Sequence, residues 1–288
     1  MQVFAISDLH TDFRDNLGQL EQLSRQSYRA DALIVAGDVS HDLLVLRRTL
    51  QIFLERFRHV FFVPGNHELW IRDGEHPHSV QKFQDVLRLC ESLGVHTGPE
   101  VIGLDQERVC VVPLFSWYAR PGEGSDSLYR ERDIEEPAES VWADDYLVKW
   151  PRSGGFQPVQ YFLDLNGPRV SAEYAVSRIS FSHFLPRQDL MFAVAGEPVQ
   201  AGPDPPRQPF NFSRVAGSTL IEHQIRKLGS TVHVYGHQHR NRCRCYDGVW
   251  YVSNCLGYPE ERAGRTIDNP AAILKAVWPE PLSGQQPV

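Results

Sequence analysis

The sequence predicts an α/β fold, because short apolar strand patterns alternate with amphipathic helical patterns over its first third. The stretches QVFAISD, ALIVAGD and VFFVPGN are predicted to be buried strands. Apolar residues at helical spacing follow over residues 17–28, 43–57 and 80–93. Because strands joined through helices in this order form parallel sheets with right-handed crossovers, we expect parallel strands in this part of the chain.

The rest of the chain predicts four further strands and one helix. The strands are expected in ERVCVVPLF, RISFSHFLP, TVHVYG and GVWYVSN, and the helix over residues 217–228. Residues 116–169 have little periodicity, several aromatic residues and the stretches PGEG and RSGG. We expect this inserted segment to be irregular and cap-like, within a single domain of residues 1–278. Residues 279–288 are predicted to form a disordered tail.

Composition excludes several classes of protein. The 288 residues carry a formal net charge of −7, which argues against broad electrostatic capture of nucleic acid. No stretch approaches the roughly 18 uninterrupted apolar residues of a membrane helix, and the N-terminus lacks the features of a secretory signal. Five cysteines do not indicate a disulfide framework. We expect a cytoplasmic protein without a membrane partner.

Polar residues that can bind a metal follow five of the predicted strands. Alone, Asp8 or Asp38 could cap a helix, Asn66 could occupy a turn, and His183 could be a satisfied core histidine. Ligands of open parallel sheets bind outside the carboxyl ends of the strands, and neutral imidazole is a common metal ligand. The ordered set therefore predicts a metal site, and its residues are Asp8, His10, Asp38, Asn66, His67, His183, His237 and His239.

The series DLH, GD, GNHE, a single histidine and GHQH resembles the motifs of the calcineurin-like metallophosphoesterase superfamily. The resemblance covers residues 8–239 and implies a four-layer αββα sandwich of two packed mixed β-sheets with a dinuclear metal centre. It implies that one ion is bound by Asp8, His10, Asp38 and His239. Asp38 would bridge to a second ion, which Asn66, His183 and His237 complete. By the same resemblance, His67 is catalytic and faces the phosphoryl group or the leaving oxygen.

The predicted ligands suit transition metals that activate water for phosphoryl transfer. Two cations about 3.5–4 Å apart can stabilise the attacking and leaving oxygens together. Mixed imidazole, carboxylate and amide ligands favour Mn, Fe, Zn, Co or Ni over Ca. We expect two divalent ions, with Mn or Fe favoured.

Departures from the motifs of known relatives narrow the range of possible substrates. The stretch GDVSHDLL lacks the Asp-Arg-Gly of related Ser/Thr protein phosphatases. His41 is similar in position to a histidine of double-strand-break repair nucleases, and it either faces substrate or lies in a solvated loop. Trp117 and Tyr118 either line the pocket or pack in the core. Arg240, Arg242 and Arg244 alternate along a strand, where they either bind phosphate or form a solvated edge.

The sequence thus predicts a metal-dependent hydrolase of a small phosphomonoester, phosphodiester or nucleotide. The alternatives are a nuclease acting on DNA or RNA ends and a non-catalytic interaction module with the same fold. The complete ligand set favours an enzyme, and the acidic chain makes nucleic acid an unlikely partner. An aromatic cap would favour small phosphoesters over DNA and protein. Shortening residues 121–155 is expected to change that preference and leave the metal site intact.

Overall fold

A computed structural model describes residues 1–72, 74, 76–132, 142–152, 154–194, 210–263, 273–279 and 282. In this part of the chain, one sheet contains four strands: β1 (Val3–Ile6), β2 (Ala32–Val35), β3 (His59–Phe62) and β10 (Lys275–Trp278). Their order is β10-β1-β2-β3. The first three strands are parallel, and β10 pairs with β1 in the antiparallel direction.

The second sheet contains six strands in the order β4-β5-β6-β7-β9-β8. They are β4 (Glu100–Ile102), β5 (Val109–Pro113), β6 (Ser177–Phe181), β7 (Val232–Tyr235), β8 (Arg242–Tyr246) and β9 (Val249–Ser253). The four central strands are parallel, and the edge strands β4 and β8 are antiparallel to their neighbours. Both sheets are therefore mixed, as predicted.

Seven α-helices lie in the described part of the chain. They are α1 (Arg14–Glu21), α2 (Leu43–Leu54), α3 (Ser79–Leu93), α4 (Asp144–Leu147), α5 (Pro158–Ser171), α6 (Thr219–Leu228) and α7 (Pro259–Ala263). Short 3₁₀ turns lie at His67–Leu69, Asp105–Glu107, Gln188–Leu190 and Phe212–Arg214. None of these helices is long and apolar enough to cross a membrane.

Alternating side chains on the strands build two hydrophobic cores. Ala32 and Ile34 of β2 point into a core shared with Val111 and Ile179 of the second sheet. The intervening Leu33 and Val35 point to the opposite face and pack with residues of α2 and α3. Residues of α5 and α6 extend the first core over the outer face of the second sheet. The layer order is thus helices, sheet, sheet and helices, which confirms the predicted four-layer sandwich.

Several elements differ from the predictions. The inserted segment is not irregular throughout, because its end forms the 14-residue helix α5. Gly167 and Pro168 obscure the helical pattern of α5, and Asn166 takes one of its buried positions. The helix predicted over residues 17–28 instead spans Arg14–Glu21. The short strands β4 and β10 were not predicted. Residues 133–141, and 280, 281 and 283–288 of the predicted tail, lie outside the described residues.

Candidate metal centre

The loops that follow β1, β2, β3, β6 and β7 meet at one edge of the two sheets. Asp8 N–H donates to Gly37 O at 3.0 Å, and Gly236 N–H donates to His183 O at 2.9 Å. His237 N–H donates to the Asp8 carboxylate at 2.8 Å. These bonds bring the predicted site residues together in the interior, and the buried set is Asp8, His10, Asp38, Asn66, His67, His183, His237 and His239.

Two glycines allow the loops to approach this closely. A Cβ atom on Gly236 would lie 2.8 Å from an Asp8 carboxylate oxygen. A Cβ atom on Gly65 would collide with the Asp38 carboxylate and lie 2.8 Å from ring carbons of His183. Because these separations are shorter than van der Waals contact, both positions require glycine. The glycines of the GNHE and GHQH motifs therefore bring ligands from different strands together.

The backbone is strained at the predicted ligands. Seven non-glycine residues of the described chain have positive φ, and five of them are predicted ligands: Asp8 (51°), His10 (42°), Asp38 (56°), His237 (73°) and His239 (52°). Such a conformation costs about 1–3 kcal/mol per residue and persists where surrounding contacts enforce it, often at functional sites. The concentration of strain at this edge indicates that the fold holds these side chains in place for a function.

Asp8, His10 and His239 form a first candidate ligand group. The His10 and His239 Nε2 atoms are 3.0 Å apart, and His239 Nε2 is 3.5 Å from Asp8 Oδ1. One ligand atom from each residue lies within 4.8 Å of the others. Donor atoms bound to one ion at right angles, with bonds of about 2.1 Å, are about 3.0 Å apart. The spacing of this group therefore fits one transition-metal ion.

Asn66, His183 and His237 form a second ligand group. His183 Nε2 lies 3.2 Å from Asn66 Oδ1 and 3.2 Å from His237 Nδ1. Asp38 Oδ2 is 3.4 Å from His183 Nε2, and Asp38 also has a ligand atom within 4.8 Å of one on His10. Asp38 thus lies between the two groups, where a bridging carboxylate must lie.

The second nitrogen of three imidazole rings is anchored. His183 Nδ1 lies 2.9 Å from Ala36 O, and His237 Nε2 lies 3.0 Å from Val215 O. Because a carbonyl only accepts, these nitrogens carry protons, and the other nitrogen of each ring faces the second group. His239 Nδ1 lies 2.6 Å from the Glu261 carboxylate. Such anchoring fixes the orientation and tautomer of metal-binding histidines.

The charges of the centre favour a bound cation. Burial by itself would raise the pKa of Asp38, but His183 and His67 hold it well below its usual range, so Asp38 is ionised. Burial by itself would lower the pKa of His183, but the Asp38 carboxylate raises it to about 9. Burial and neighbouring histidines keep the pKa values of His10 and His237 well below normal. Asp38 is therefore an ionised carboxylate, and His10 and His237 are neutral imidazoles, while His183 must release its proton to bind a metal. Carboxylate and imidazole donors suit divalent transition metals.

His67 begins a 3₁₀ turn directly beside Asp38. Its N–H donates to Asp38 Oδ1 at 3.0 Å, and its Nε2 lies 3.8 Å from Asp38 Oδ2. Its ring stacks on Trp70 with centroids 3.6 Å apart and lies 4.6 Å from the His10 ring. Burial lowers the pKa of His67 to about 4. The imidazole is therefore neutral at pH 7 and can exchange one proton with a group at the site.

Glu68 was part of a predicted motif but had no predicted role. The carboxylate is fully buried and accepts four backbone N–H groups, those of Asp38 (3.0 Å), Val39 (2.6 Å), Ser40 (2.9 Å) and Gly65 (2.6 Å). Burial and the nearby Asp38 carboxylate raise the pKa of Glu68 to about 7. Glu68 therefore fixes the two loops that carry Asp38 and Asn66.

Two further residues at the centre were not predicted, Glu261 and Asp144. Glu261 contacts His239, as described above, and Asp144 Oδ1 accepts from Asn66 Nδ2 at 3.0 Å. Both carboxylates lie far from the motifs in sequence. An acidic residue next to the aromatic residues of WADDYL is the only signal for Asp144 in the sequence, and Glu261 has none.

Three predicted substrate-binding residues lie beside the centre rather than among its ligands. Trp117 is buried and packs edge-on against Trp150 and Phe184. Tyr118 is also buried and, with Trp117, lines a cavity of about 570 Å³. His41 is half-buried, with Nδ1 3.5 Å from Asp12. Trp117 therefore has the packing role, and it also contributes to the wall of this cavity.

Arg242 and Arg244 lie in β8, and Arg240 precedes that strand. Arg244 is fully buried and donates to the backbone carbonyls of Asp189 and Phe192, both at 2.7 Å. Arg242 donates to Leu190 O at 2.9 Å. Arg240 is half-buried and donates to His239 O at 3.2 Å. Arg242 and Arg244 reach the same loop after β6 and so share one face, as predicted. The solvated-edge alternative is wrong for the buried Arg244, and phosphate binding by Arg240 stays a prediction.

The chain belongs to the calcineurin-like phosphoesterase family, whose model matches residues 1–241. It is 30% identical over 291 residues to the acyl-carrier-protein phosphodiesterase PptH of Mycobacterium tuberculosis, covering 97% of this chain and 84% of that protein. The crystal structure of a phosphopantetheinyl hydrolase, PptH from Mycobacterium tuberculosis, matches with a TM-score of 0.78 and 25% identity over 99% of this chain and 98% of that one. The predictions of family, fold and phosphoric-ester hydrolase activity are confirmed, so the protein is an enzyme.

Proposed function

We propose that the protein is a phosphodiesterase with a dinuclear centre, and that it releases a phosphopantetheine-like group from a carrier protein. The observation that carries the metal centre is the strained convergence of two ligand groups around Asp38. The diester reaction is supported by the likeness to PptH, which extends over 97% of the chain and beyond the motifs. This proposal departs from the expectation that small phosphoesters are preferred over protein, because the phosphoester arm of the carrier, and not its folded part, would enter the site.

The proposed roles follow from the contacts. Asp8, His10 and His239 hold one divalent ion, Asn66, His183 and His237 hold the other, and Asp38 binds both. Mn or Fe is the favoured metal, and the donors, which combine carboxylate and amide oxygens with imidazole, also suit Zn, Co or Ni. When bound, the two ions supply electrostatic stabilisation of the phosphoryl group and activation of the attacking water.

His67 is the proposed proton donor to the leaving oxygen. The ring is held by Trp70 on one face and has its Nε2 near the shared carboxylate of Asp38. Because its pKa is about 4, the ring must first take up a proton from water, which the Asp38 carboxylate favours, and it returns to the neutral form when it gives that proton to the leaving oxygen. A rigidly placed imidazole can transfer a proton without reorganisation, which contributes typically 10²–10⁴-fold to a rate. Glu68 supports this geometry, because it fixes the Asp38 backbone to the loop that carries His67.

A substrate panel tests the proposal. Protein loaded with Mn would be assayed with bis(4-nitrophenyl) phosphate, 4-nitrophenyl phosphate, duplex DNA ends and a phosphopantetheinylated acyl carrier protein, with carrier mass followed by mass spectrometry. We expect diester cleavage at least about tenfold faster than monoester cleavage, and conversion of the carrier to its unmodified form. Preference for the monoester, or degradation of DNA ends with an intact carrier, would contradict the proposal and in the second case favour the nuclease.

A further inference from the structure

Asp144 is a buried carboxylate that joins the inserted segment to the metal centre. It is only 3% exposed and opens the short helix α4. Its Oδ1 accepts from Asn66 Nδ2 at 3.0 Å and from Trp70 Nε1 at 2.6 Å. Its Oδ2 accepts from Trp142 Nε1 at 2.9 Å and from Tyr118 OH at 3.1 Å. Four donors thus compensate the cost of burying this group.

We infer that Asp144 is a positioning residue of the metal centre, which holds the Asn66 amide with its oxygen directed at the second ligand group. This inference rests on the proposed ligand set. It assigns part of the inserted segment to the architecture of the centre, in addition to any contact with substrate.

The chemistry of the amide supports this role. An asparagine side chain presents a carbonyl oxygen on one side and two N–H donors on the other. Only the oxygen binds a cation, and in the structure it lies 3.2 Å from His183 Nε2. If the amide turned over, its NH₂ would face the second ligand group and its oxygen would face the Asp144 carboxylate. Repulsion between those oxygens disfavours that state, so Asp144 selects the orientation that can bind a metal.

Asp144 also reaches the proposed proton donor through Trp70. The indole N–H is held by Asp144 Oδ1, and the same indole stacks on His67 with centroids 3.6 Å apart. On its other side, Asp144 is held by Trp142, whose ring lies 6.1 Å from that of His237. One carboxylate therefore links a metal ligand, the support of His67 and two aromatic residues of the inserted segment.

The inference corrects the expectation that residues 121–155 can be shortened with the metal site intact. That deletion removes Asp144 and Trp142 together. Loss of activity in such a variant would then report damage to the second ligand group, and it could not be assigned to a lost cap. A cap must be tested by changes that retain Asp144.

The test is a Mn²⁺ titration followed by the electron paramagnetic resonance signal of free Mn²⁺, compared among wild type, Asp144→Ala and Asp145→Asn. Asp145 is the matched control, because it is adjacent, acidic and paired with Arg120 and it also lines the 570 Å³ cavity. We expect two Mn²⁺ per chain in wild type and in Asp145→Asn. Asp144→Ala should weaken one of the two sites by about 10–100-fold, the usual effect of losing a group that orients a ligand.

A double substitution separates positioning from general damage. If Asp144 acts through Asn66, Asp144→Ala should cause no further loss of Mn²⁺ affinity in an Asn66→Ala background. Should Asp144→Ala not fold, Asp144→Asn keeps the shape of the side chain and should still weaken one site by about tenfold, because its NH₂ must face N–H donors. Wild-type Mn²⁺ binding in the folded Asp144 variant, or equal losses in both backgrounds, would overturn the inference. Failure of wild type to bind two ions would instead overturn the proposed metal centre.

Discussion

The two ligand groups are braced in different ways. In the first group, the Glu261 carboxylate holds His239 at 2.6 Å, and the Tyr258 ring stacks on His10 with centroids 4.2 Å apart. In the second group, His183 and His237 are braced by backbone carbonyls. A charged brace makes an imidazole a stronger ligand than a neutral one does, and it can be removed by substitution. The first group should therefore bind its ion more tightly, and its affinity should be easier to change.

The charges of the ligands also predict that the first group binds its ion more tightly. Apart from the shared Asp38, the oxygen ligand of the first group is the carboxylate of Asp8, whereas that of the second group is the neutral amide of Asn66. Burial raises the pKa of Asp8, and the nearby His239 and His183 partly offset that rise. When the metal-free protein is titrated with Mn²⁺, the first ligand group should therefore bind its ion before the second does.

The largest expected effect is that of Asp38→Asn, because Asp38 is the only proposed ligand common to both groups. The substitution removes the charge that both proposed ions share and frees His183 and His67 from their anionic neighbour. We expect both Mn²⁺ sites to weaken and diester hydrolysis to fall by more than about 10³-fold, on the scale of a lost electrostatic group in an active site. Asp12→Asn, at an exposed position beside His41, is the control. A variant of Asp38 that kept one site at wild-type affinity would show that Asp38 is not shared.

Next in size is His67→Ala, which tests a residue between the groups that is not a proposed ligand. Metal content should remain at two ions per chain, while the rate falls by about 10²–10⁴-fold. Metal analysis and kcat measured on the same sample give the answer. Loss of an ion with an unchanged rate per remaining metal would place His67 among the ligands, as its closeness to His10 and Asp38 also allows.

Glu261→Gln tests the charged brace of the first group. The substituted amide can still hydrogen-bond to His239 but no longer carries the negative charge. Affinity for the more tightly bound ion should fall by about 10–100-fold, with the other site unchanged. Glu260→Gln, in the same short helix, is the matched control. If Glu261→Gln instead weakened the site that Asp144→Ala weakens, the division into two separately braced groups would be incorrect.

A smaller effect, on stability, is expected from His233, a buried histidine outside both ligand groups. His233 lies 2.9 Å from Ser180 Oγ and 3.1 Å from Ser182 Oγ, and burial lowers its pKa to about 3. Since the unfolded state binds a proton at about pH 6.5 and the folded state does not, His233 destabilises the fold as pH falls from 6.5 towards 3.

The comparison of wild type with His233→Gln isolates that contribution. Between pH 7 and pH 5, wild type should lose about 2 kcal/mol more unfolding free energy than the variant. Urea unfolding in the presence of a chelator measures the difference, with the other histidines common to both proteins. Equal losses in the two proteins would mean that His233 is not held neutral in the fold.

The sequence predicted the parts of the molecule that are encoded locally. An apolar run followed by a polar residue marks a buried strand and its carboxyl end, so the loops with Asp8, Asp38 and His183 could be placed at one edge. The short edge strands β4 and β10 carry too few residues for a periodic signal. Helix α5 was missed because Gly167 and Pro168 interrupt its pattern and because packing against α6 stabilises it.

The braces could not be predicted, because they depend on contacts between distant parts of the chain. Asp144 and Glu261 lie in segments without a recognisable motif, and only the folded chain brings them to Asn66 and His239. Glu68 could be predicted only in part. Its position in GNHE was noticed, but its four backbone hydrogen bonds become visible only when the loops of β2 and β3 meet.

The most direct test of the central claim is anomalous diffraction at the manganese edge from crystals of the protein grown with Mn²⁺. We expect two peaks about 3.5–4 Å apart. One peak should be bound by Asp8, His10 and His239 and the other by Asn66, His183 and His237, with Asp38 touching both. A single peak, or two peaks that do not share Asp38, would contradict it.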